Sequence, residues 1–239
     1  MKCLIFTSIL LSSLSTVFAG DTAITELLGF SADGNAVAFQ QLGTQDGSGF
    51  VYCKVMVVDT NKNTYIVPAS EVTLRDGYIS DPHKACDKAR VKIQSTLTKL
   101  KLSPLRGRKV FSRLPTDELG VGASEVTFGT FPLFPVMFTH KVSVIGTPTG
   151  PDDGSGFVPQ LLKVTLNYPD ENYQKKTLVL QEDKALPRSR QYAFAYELED
   201  GYVFETEKKT AYVFTIRYYN PGFEGPDLRT MVVAGTIKY

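Results

Sequence analysis

The sequence predicts a mainly β or α+β protein, in the form of an antiparallel β-sandwich or of partial-propeller-like meanders. Three observations predict this fold class. Apolar stretches with strand-like alternation recur along most of the chain, only one segment has helical periodicity, and the pentapeptide Asp-Gly-Ser-Gly-Phe occurs twice, at Asp46–Phe50 and Asp153–Phe157. Each copy lies between two predicted strands, which indicates two related β units. The alternative is chance identity in turn-rich sequence.

Residues 1–19 have the pattern of a secretory signal peptide. Lys2 supplies a positive start, Leu4–Phe18 is an apolar run, and Val17-Phe18-Ala19 resembles a signal-peptidase cleavage site. A membrane anchor is the alternative, but serines interrupt the run, and it is shorter than the ~20 apolar residues that a span needs. We therefore expect an exported protein, either periplasmic or secreted, that is cleaved after Ala19.

The mature chain is predicted to carry no net charge. Removing residues 1–19 removes Lys2 and no acidic residue, so the 26 lysines and arginines become 25 and equal the 25 aspartates and glutamates. Proteins that bind nucleic acid normally have a basic excess. The composition therefore argues against a nucleic-acid partner, and the sequence after Ala19 contains no apolar run that predicts a transmembrane segment.

The first predicted unit, residues 20–130, begins with a three-stranded meander. Asp33-Gly34 is typical of a hairpin turn and is followed by a short apolar strand. In the next strand, Val51–Asp59, every second residue from Val51 to Val57 is apolar and lies on one face. The turn Asn61–Asn63 then leads into a third strand over Tyr65–Val67.

One amphipathic helix is predicted near residues 82–101. Ser80-Asp81-Pro82 provides a cap followed by proline in the first turn, and Ser103-Pro104 ends the helix. A single apolar stripe, with its members three or four residues apart, consists of Cys86, Ala89, Ile93, Leu97 and Leu100. The lysines and arginines of this segment lie on the other faces, as expected for a solvated helix surface.

Cys53 and Cys86 are the two cysteines that remain after signal cleavage. Cys53 lies on the apolar face of a predicted strand, and Cys86 lies on the apolar stripe of the helix. If the helix packs on that sheet in an oxidising compartment, the two residues can form a disulfide. Two buried free thiols are the alternative.

The second predicted unit, residues 131–239, repeats the order of the first. A glycine- and proline-rich connector with a short strand near Val126–Phe128 precedes it. The predicted strands of this unit are Met137–Ile145, Val158–Tyr168, Thr177–Leu180, Tyr192–Leu198, Tyr202–Glu205, Ala211–Tyr219 and Met231–Ile237. The alternative to two units is one continuous domain over residues 20–239.

Three kinds of polar loop are candidate contact surfaces: the two pentapeptide loops, Leu180–Arg190, and Asn220–Arg229. Arginines in the second loop offer bidentate contacts to a carboxylate or phosphate, and Pro/Gly pairs make the third loop rigid. Ordinary turns, surface ion pairs and local packing are the alternatives. The predicted ligand- or partner-binding set is Asp46, Asp153, Glu182, Asp183, Arg188, Arg190, Glu224, Asp227 and Arg229.

The sequence contains no recognisable catalytic, cofactor or metal motif. The two histidines, His83 and His140, have no partner at a metal-ligand spacing. Calcium binding at the pentapeptide loops is disfavoured because the first loop has a single acidic residue. We therefore predict no cofactor and no metal.

Four segments resemble a known family: Gly29–Gly34, Gln45–Phe50, Leu180–Asp183 and Gly222–Asp227. In their residues and order, the chain resembles the predicted secreted bacterial proteins of domain-of-unknown-function family 2259. The resemblance spans nearly the whole mature chain and implies export and a shared fold, but no activity. The first segment is also similar to the start of propeller repeats in TolB-like periplasmic proteins, although the regular blade spacing of a propeller is missing.

The leading hypothesis is an exported, soluble, β-rich binding or interaction protein of the bacterial envelope. Its partner would be an envelope protein or a small ligand. The alternative is a hydrolase that acts on envelope glycans or peptides through a carboxylate pair drawn from Glu182, Glu224 and Asp227. A purely structural protein, in which the polar loops serve only the fold, is a third possibility.

Overall fold

The computed structural model describes residues 20–75, 81–114, 124–133, 136–152, 154–170, 172–222 and 225–239. Within these ranges the chain is mainly β, with antiparallel sheets and two short helices. The predicted fold class is confirmed. The strands form three sheets, which we number I, II and III.

Sheet I comes from the first part of the chain. Its strands are β1 (Ile24–Phe30), β2 (Ala36–Thr44), β3 (Val51–Asp59), β4 (Thr64–Tyr65) and β5 (Ser70–Leu74). They are hydrogen-bonded in the order β1-β2-β3-β4, and β5 also pairs with β3. The predicted turn at Asp33-Gly34 connects β1 to β2, and Gly34 has the positive φ of 65° that such a turn uses.

Two helices replace the single predicted one: α1 (Pro82–Lys92) and α2 (Gln94–Leu100). The Asp81 side chain accepts a hydrogen bond from the backbone N–H of His83 and caps α1, as the sequence predicted. The backbone leaves the helical conformation at Ile93, where φ is −120°. Only α1 has buried residues, so packing does not hold the second segment in line with the first.

Sheet II is a four-stranded meander with the order β10-β9-β8-β7. Its strands are β7 (Ser124–Leu133), β8 (Val136–Pro148), β9 (Gln160–Pro169) and β10 (Lys175–Glu182). The second pentapeptide loop connects β8 to β9, just as the first connects β2 to β3. This shared position supports the internal repeat, which stays a prediction.

Sheet III is also a meander, with the order β13-β12-β11-β6. It contains β6 (Arg108–Ser112), β11 (Ala195–Thr206), β12 (Lys209–Asn220) and β13 (Asp227–Lys238), and a 3₁₀ turn at Arg188–Arg190 precedes β11. The predicted strands at 192–198 and 202–205 are one strand, because a bulge between Leu198 and Gly201 carries the chain through the intervening residues.

Sheet III lies between the other two sheets. Tyr212 and Phe214 of β12 belong to a core shared with sheet II, whereas Ala211 and Val213 belong to a core shared with sheet I. Because alternate side chains point to opposite faces, all residues from 210 to 219 are buried. We infer one continuous domain from this shared packing; the division into 20–130 and 131–239 stays a prediction.

Helix α1 covers the outer face of sheet I. Ala85, Cys86 and Ala89 pack against Cys53 and Val55 of β3 in a separate apolar core. Cys53 and Cys86 are both fully buried, their Cα atoms are 4.9 Å apart, and they form a disulfide. The predicted bridge is confirmed, and it fixes the helix to the sheet.

His140 of β8 is buried inside the core between sheets II and III. Its ring stacks on Phe128, its Nε2 lies 2.6 Å from the Thr130 hydroxyl oxygen, and its Nδ1 has no hydrogen-bond partner among the described residues. Burial lowers the pKa of His140 to about 4. The imidazole is therefore neutral at pH 7, and protonating it in the folded protein is unfavourable.

Reducing the disulfide is expected to lower the free energy of unfolding by about 3–4 kcal/mol, because the bridge restricts the unfolded chain over the 33 residues it spans. Guanidinium denaturation with and without reductant measures the loss. Replacing both cysteines by alanine gives the control, which should not respond to reductant. An unchanged midpoint in the fully reduced native protein would contradict this prediction.

Acidification from about pH 6.5 to pH 4 is expected to destabilise the fold through His140, since the unfolded chain binds a proton in this window and the folded protein does not. This group should contribute about 3 kcal/mol to the pH dependence. Urea denaturation at pH 7 and pH 4 compares the wild type with His140→Gln and with His83→Gln, which changes an exposed histidine. Only His140→Gln should lose this part of the pH dependence; equal dependence in all three proteins would refute the assignment.

Candidate ligand cleft

Strand β13 is an edge strand of sheet III. In an antiparallel ladder, the N–H and C=O groups of alternate residues turn away from the paired strand. Over the part of β13 from Leu228 to Ala234, these outward residues are Leu228, Thr230, Val232 and Ala234, as the hydrogen bonds of Leu228 and Ala234 show. An uncovered edge of this kind invites pairing with another chain.

The N-terminal segment closes one end of this edge. The backbone N–H of Leu228 donates to the Asp21 carbonyl at 2.8 Å, and the N–H of Ala23 donates to the Leu228 carbonyl at 3.3 Å. Thr22 and Leu228 form a parallel β-bridge. Residues 21–23 therefore act as a short added strand.

Two side chains from the sheet I part of the chain, Asn63 and Gln41, hydrogen-bond to further backbone groups of this edge. The Asn63 side-chain oxygen accepts from the N–H of Ala234 at 2.9 Å, and its amide nitrogen donates to the Leu180 carbonyl and the Gln181 side chain. Gln41 donates to the Thr230 carbonyl at 3.2 Å. Among the described residues, none hydrogen-bonds to the outward N–H and C=O of Val232.

A cleft of about 340 Å³ lies along this open part of the edge. Sheet I forms one wall, the end of β10 and the 3₁₀ turn form the other, and β13 forms the floor. The lining residues are Lys54, Val58, Asn63, Thr64, Tyr65, Gln181, Ser189, Arg190, Tyr218, Thr230, Met231 and Val232. This volume is within the range of small-ligand sites.

The cleft is cationic. Lys54 and Arg190 line it, and no aspartate or glutamate of the described residues does. Lys54 is partly buried as a residue, and its ammonium group makes no hydrogen bond or ion pair with any described residue. Burial raises the pKa of the Tyr218 phenol, which therefore remains a neutral hydrogen-bond donor.

A buried ion pair holds Arg190 in place. Its guanidinium nitrogens lie 2.9 and 3.0 Å from the two carboxylate oxygens of Asp183, and the guanidinium also donates to the Tyr196 hydroxyl. Burial acts to raise the pKa of Asp183, but hydrogen bonds from Arg190 and Gln181 outweigh it and keep the pKa below its ordinary value. Two predicted site residues thus meet, one of them facing the cleft.

Arg229 and Asp227 serve the closed end of the edge instead. Arg229 donates to the Asp21 carboxylate at 2.6 Å and lies over the ring of Tyr52, while the Asp227 carboxylate accepts from the Asp21 N–H at 3.1 Å. Burial raises the pKa of Asp21, and Arg229 opposes this rise. These residues anchor the N-terminal segment.

The other predicted contact residues that the structure describes do not meet in the cleft. Asp46 caps its own turn by accepting from the N–H of Gly47. Glu182 is exposed and pairs with Lys163 and Lys184, whose hydrogen bonds lower its pKa to about 2. Arg188 is exposed on the 3₁₀ turn. Asp153 and Glu224 lie outside the described residues.

Sequence reasoning missed Lys54, Asn63 and Val232. A signal for Lys54 was present, because it interrupts the apolar run of β3 on the face shared by Met56 and Val58, which points toward sheet III. Asn63 was predicted only as part of a turn. No local feature of the sequence marks Val232. Its backbone groups are open because β13 lies at the edge of the sheet, and the strand order depends on contacts between distant segments.

Nothing in the described part of the chain suggests a metal centre. No three His, Cys, Asp or Glu side chains converge there as potential ligands. The cleft instead presents cations, hydroxyl groups and amides, which suit an anionic or hydrogen-bonding ligand.

Replacing Arg190 by alanine is expected to cost about 3–5 kcal/mol of unfolding free energy, because it leaves the Asp183 carboxylate buried without its partner. Arg188→Ala, two residues away and exposed, should change stability by less than about 0.5 kcal/mol. Denaturant unfolding at pH 7 measures both. Similar values for the two variants would show that the Asp183–Arg190 pair does not stabilise the fold.

Residues 38–236 match the family model described as predicted secreted protein (DUF2259). The matched span contains every residue that lines the cleft. No curated protein and no solved structure matches the chain. Among the described residues, no helix has the length and apolar character needed to cross a membrane. The resemblance predicted from the four sequence segments is confirmed: the chain belongs to the DUF2259 family of predicted secreted proteins and is a secreted, β-rich protein.

Proposed function

We propose that this secreted protein is a binding protein that takes a carboxylate-bearing ligand into the cleft along β13. The observation that carries the proposal is Lys54, a partly buried residue that lines the cleft and whose ammonium group has no counter-ion among the described residues. A cation without a counter-ion attracts a negatively charged ligand. A ligand carboxylate would supply the partner.

Three arginines that point into the fold have their own carboxylates. Arg190 pairs with Asp183 and Arg229 pairs with Asp21. Arg217 pairs with Glu199 at 3.4 Å. Lys54 differs from them, and this difference supports a role in recognition and not in folding.

Arg190 can assist Lys54. A guanidinium has five N–H donors, and the bonds to Asp183 and Tyr196 use three of them. Because the ion pair fixes the orientation of the group, its remaining donors can meet a ligand with little loss of side-chain entropy. Tyr218 and Ser189 add hydroxyl groups to the same cleft.

The hydrolase hypothesis has less support. Asp227 is hydrogen-bonded to the N-terminal segment and Glu182 is in exposed ion pairs, so neither faces the cleft. Glu224 lies outside the described residues. Turnover of a cell-wall substrate that is abolished by Glu224→Gln would revive this hypothesis.

Lys54→Gln is expected to weaken carboxylate binding about tenfold or more, since it removes one charge-assisted hydrogen bond. N-acetyl-L-glutamate 1-amide and butyrate, which each carry one carboxylate, are suitable probes, titrated against ¹⁵N-labelled protein and followed by amide chemical shifts. Lys62→Gln is the matched control, because Lys62 is exposed in the turn beside Asn63 and does not line the cleft. Equal binding by both variants, or no shift with either probe, would reject the proposal.

A further inference from the structure

We propose that the ligand of this cleft is an extended peptide segment of another protein, with an acidic residue at its centre, that pairs with the backbone of Val232. The inference rests on the proposed function and names the class of ligand. It depends on the backbone groups of β13, which are independent of the charge of Lys54.

The outer edge of β13 is paired in part on either side of Val232. Residues 21–23 pair with Leu228 as a strand would, and the Asn63 side chain accepts from the N–H of Ala234. Between them, both outward groups of Val232 and the N–H of Thr230 have no partner among the described residues. Val232 lines the cleft and is 7% exposed.

An amide is the natural complement of this opening. Val232 presents one donor and one acceptor at the fixed spacing of a strand, and an extended peptide supplies the matching acceptor and donor. The open stretch between Leu228 and Ala234 has two outward positions, Thr230 and Val232, which corresponds to about three residues of extended chain. Its N-terminal side is limited by Gln41, which already holds the Thr230 carbonyl.

The walls account for the acidic residue. Side chains of an added strand alternate between the two sides, so the central side chain points to one of the two walls. Lys54 and Tyr65 lie on the sheet I wall, and Ser189 and Arg190 lie on the opposite one. Of the two cations, Arg190 is already paired with Asp183, whereas Lys54 has no carboxylate partner among the described residues, so the acidic side chain of the peptide points to the sheet I wall.

A mixture of capped tripeptides, Ac-X-Glu-X-NH₂ with X randomised, tests the inference on the ¹⁵N-labelled mature protein. We expect it to shift the Val232 amide resonance and to slow the hydrogen exchange of that amide at least tenfold. The same mixture N-methylated at every residue should lose this effect, because it cannot donate to the Val232 carbonyl. Ac-X-Gln-X-NH₂ should bind about tenfold more weakly to the wild type, and Lys54→Gln should abolish the difference.

The outcomes separate this inference from the proposed function. If N-acetyl-L-glutamate 1-amide binds in a Lys54-dependent manner but N-methylation has no effect on the tripeptides, the cleft binds carboxylates and the peptide inference is wrong. If neither the carboxylates nor the tripeptides shift any cleft resonance, both proposals fail. Protection of the Val232 amide that rises with protein concentration alone would identify a second copy of the chain as the occupant and overturn the peptide inference.

Discussion

The burial of both faces of sheet III is the constraint on which the rest of the structure depends. Sheets I and II cover it, so polar side chains on its strands need partners inside the protein. The fold supplies them as ion pairs, which include Lys109–Asp200, Arg217–Glu199 and Arg229–Asp21. Burial raises the pKa of Glu199 and Arg217 opposes the rise, so even a paired carboxylate in this layer is costly to ionise.

Because both faces of sheet III are covered, the backbone groups of this sheet that a ligand can reach lie at its edges. An additional strand can therefore pair with sheet III at its edges, and β13 is one of its two edge strands. Residues 21–23, Gln41 and Asn63 hydrogen-bond to outward backbone groups of Leu228, Thr230 and Ala234. Val232 lies between these positions, has no partner for its outward groups among the described residues, and lines the cleft.

The sequence predicted what depends on local pattern. Alternation located most strands, and the positions of Cys53 and Cys86 on two apolar faces predicted the disulfide and hence the packing of α1 on sheet I. It could not predict contacts between distant segments: Asp21 and Arg229 are 208 positions apart, and Asn63 meets Leu180 across 117. The cleft consists of such contacts, so among the predicted site residues that the structure describes, only Arg190 lines it.

The charges of Lys54, Arg190 and Asp183 limit which anions would suit the cleft. Asp183 neutralises Arg190 from behind, with two hydrogen bonds in a buried pair, so Arg190 contributes directed donors and little net charge. Lys54 keeps its charge uncompensated. Under the proposed function, one carboxylate would balance the cleft, whereas a phosphate dianion would bring a second negative charge near Asp183, where no further unpaired cation of the described residues lines the cleft. The proposed ligand, an acidic side chain within an otherwise uncharged peptide backbone, would bring the one charge that Lys54 can balance.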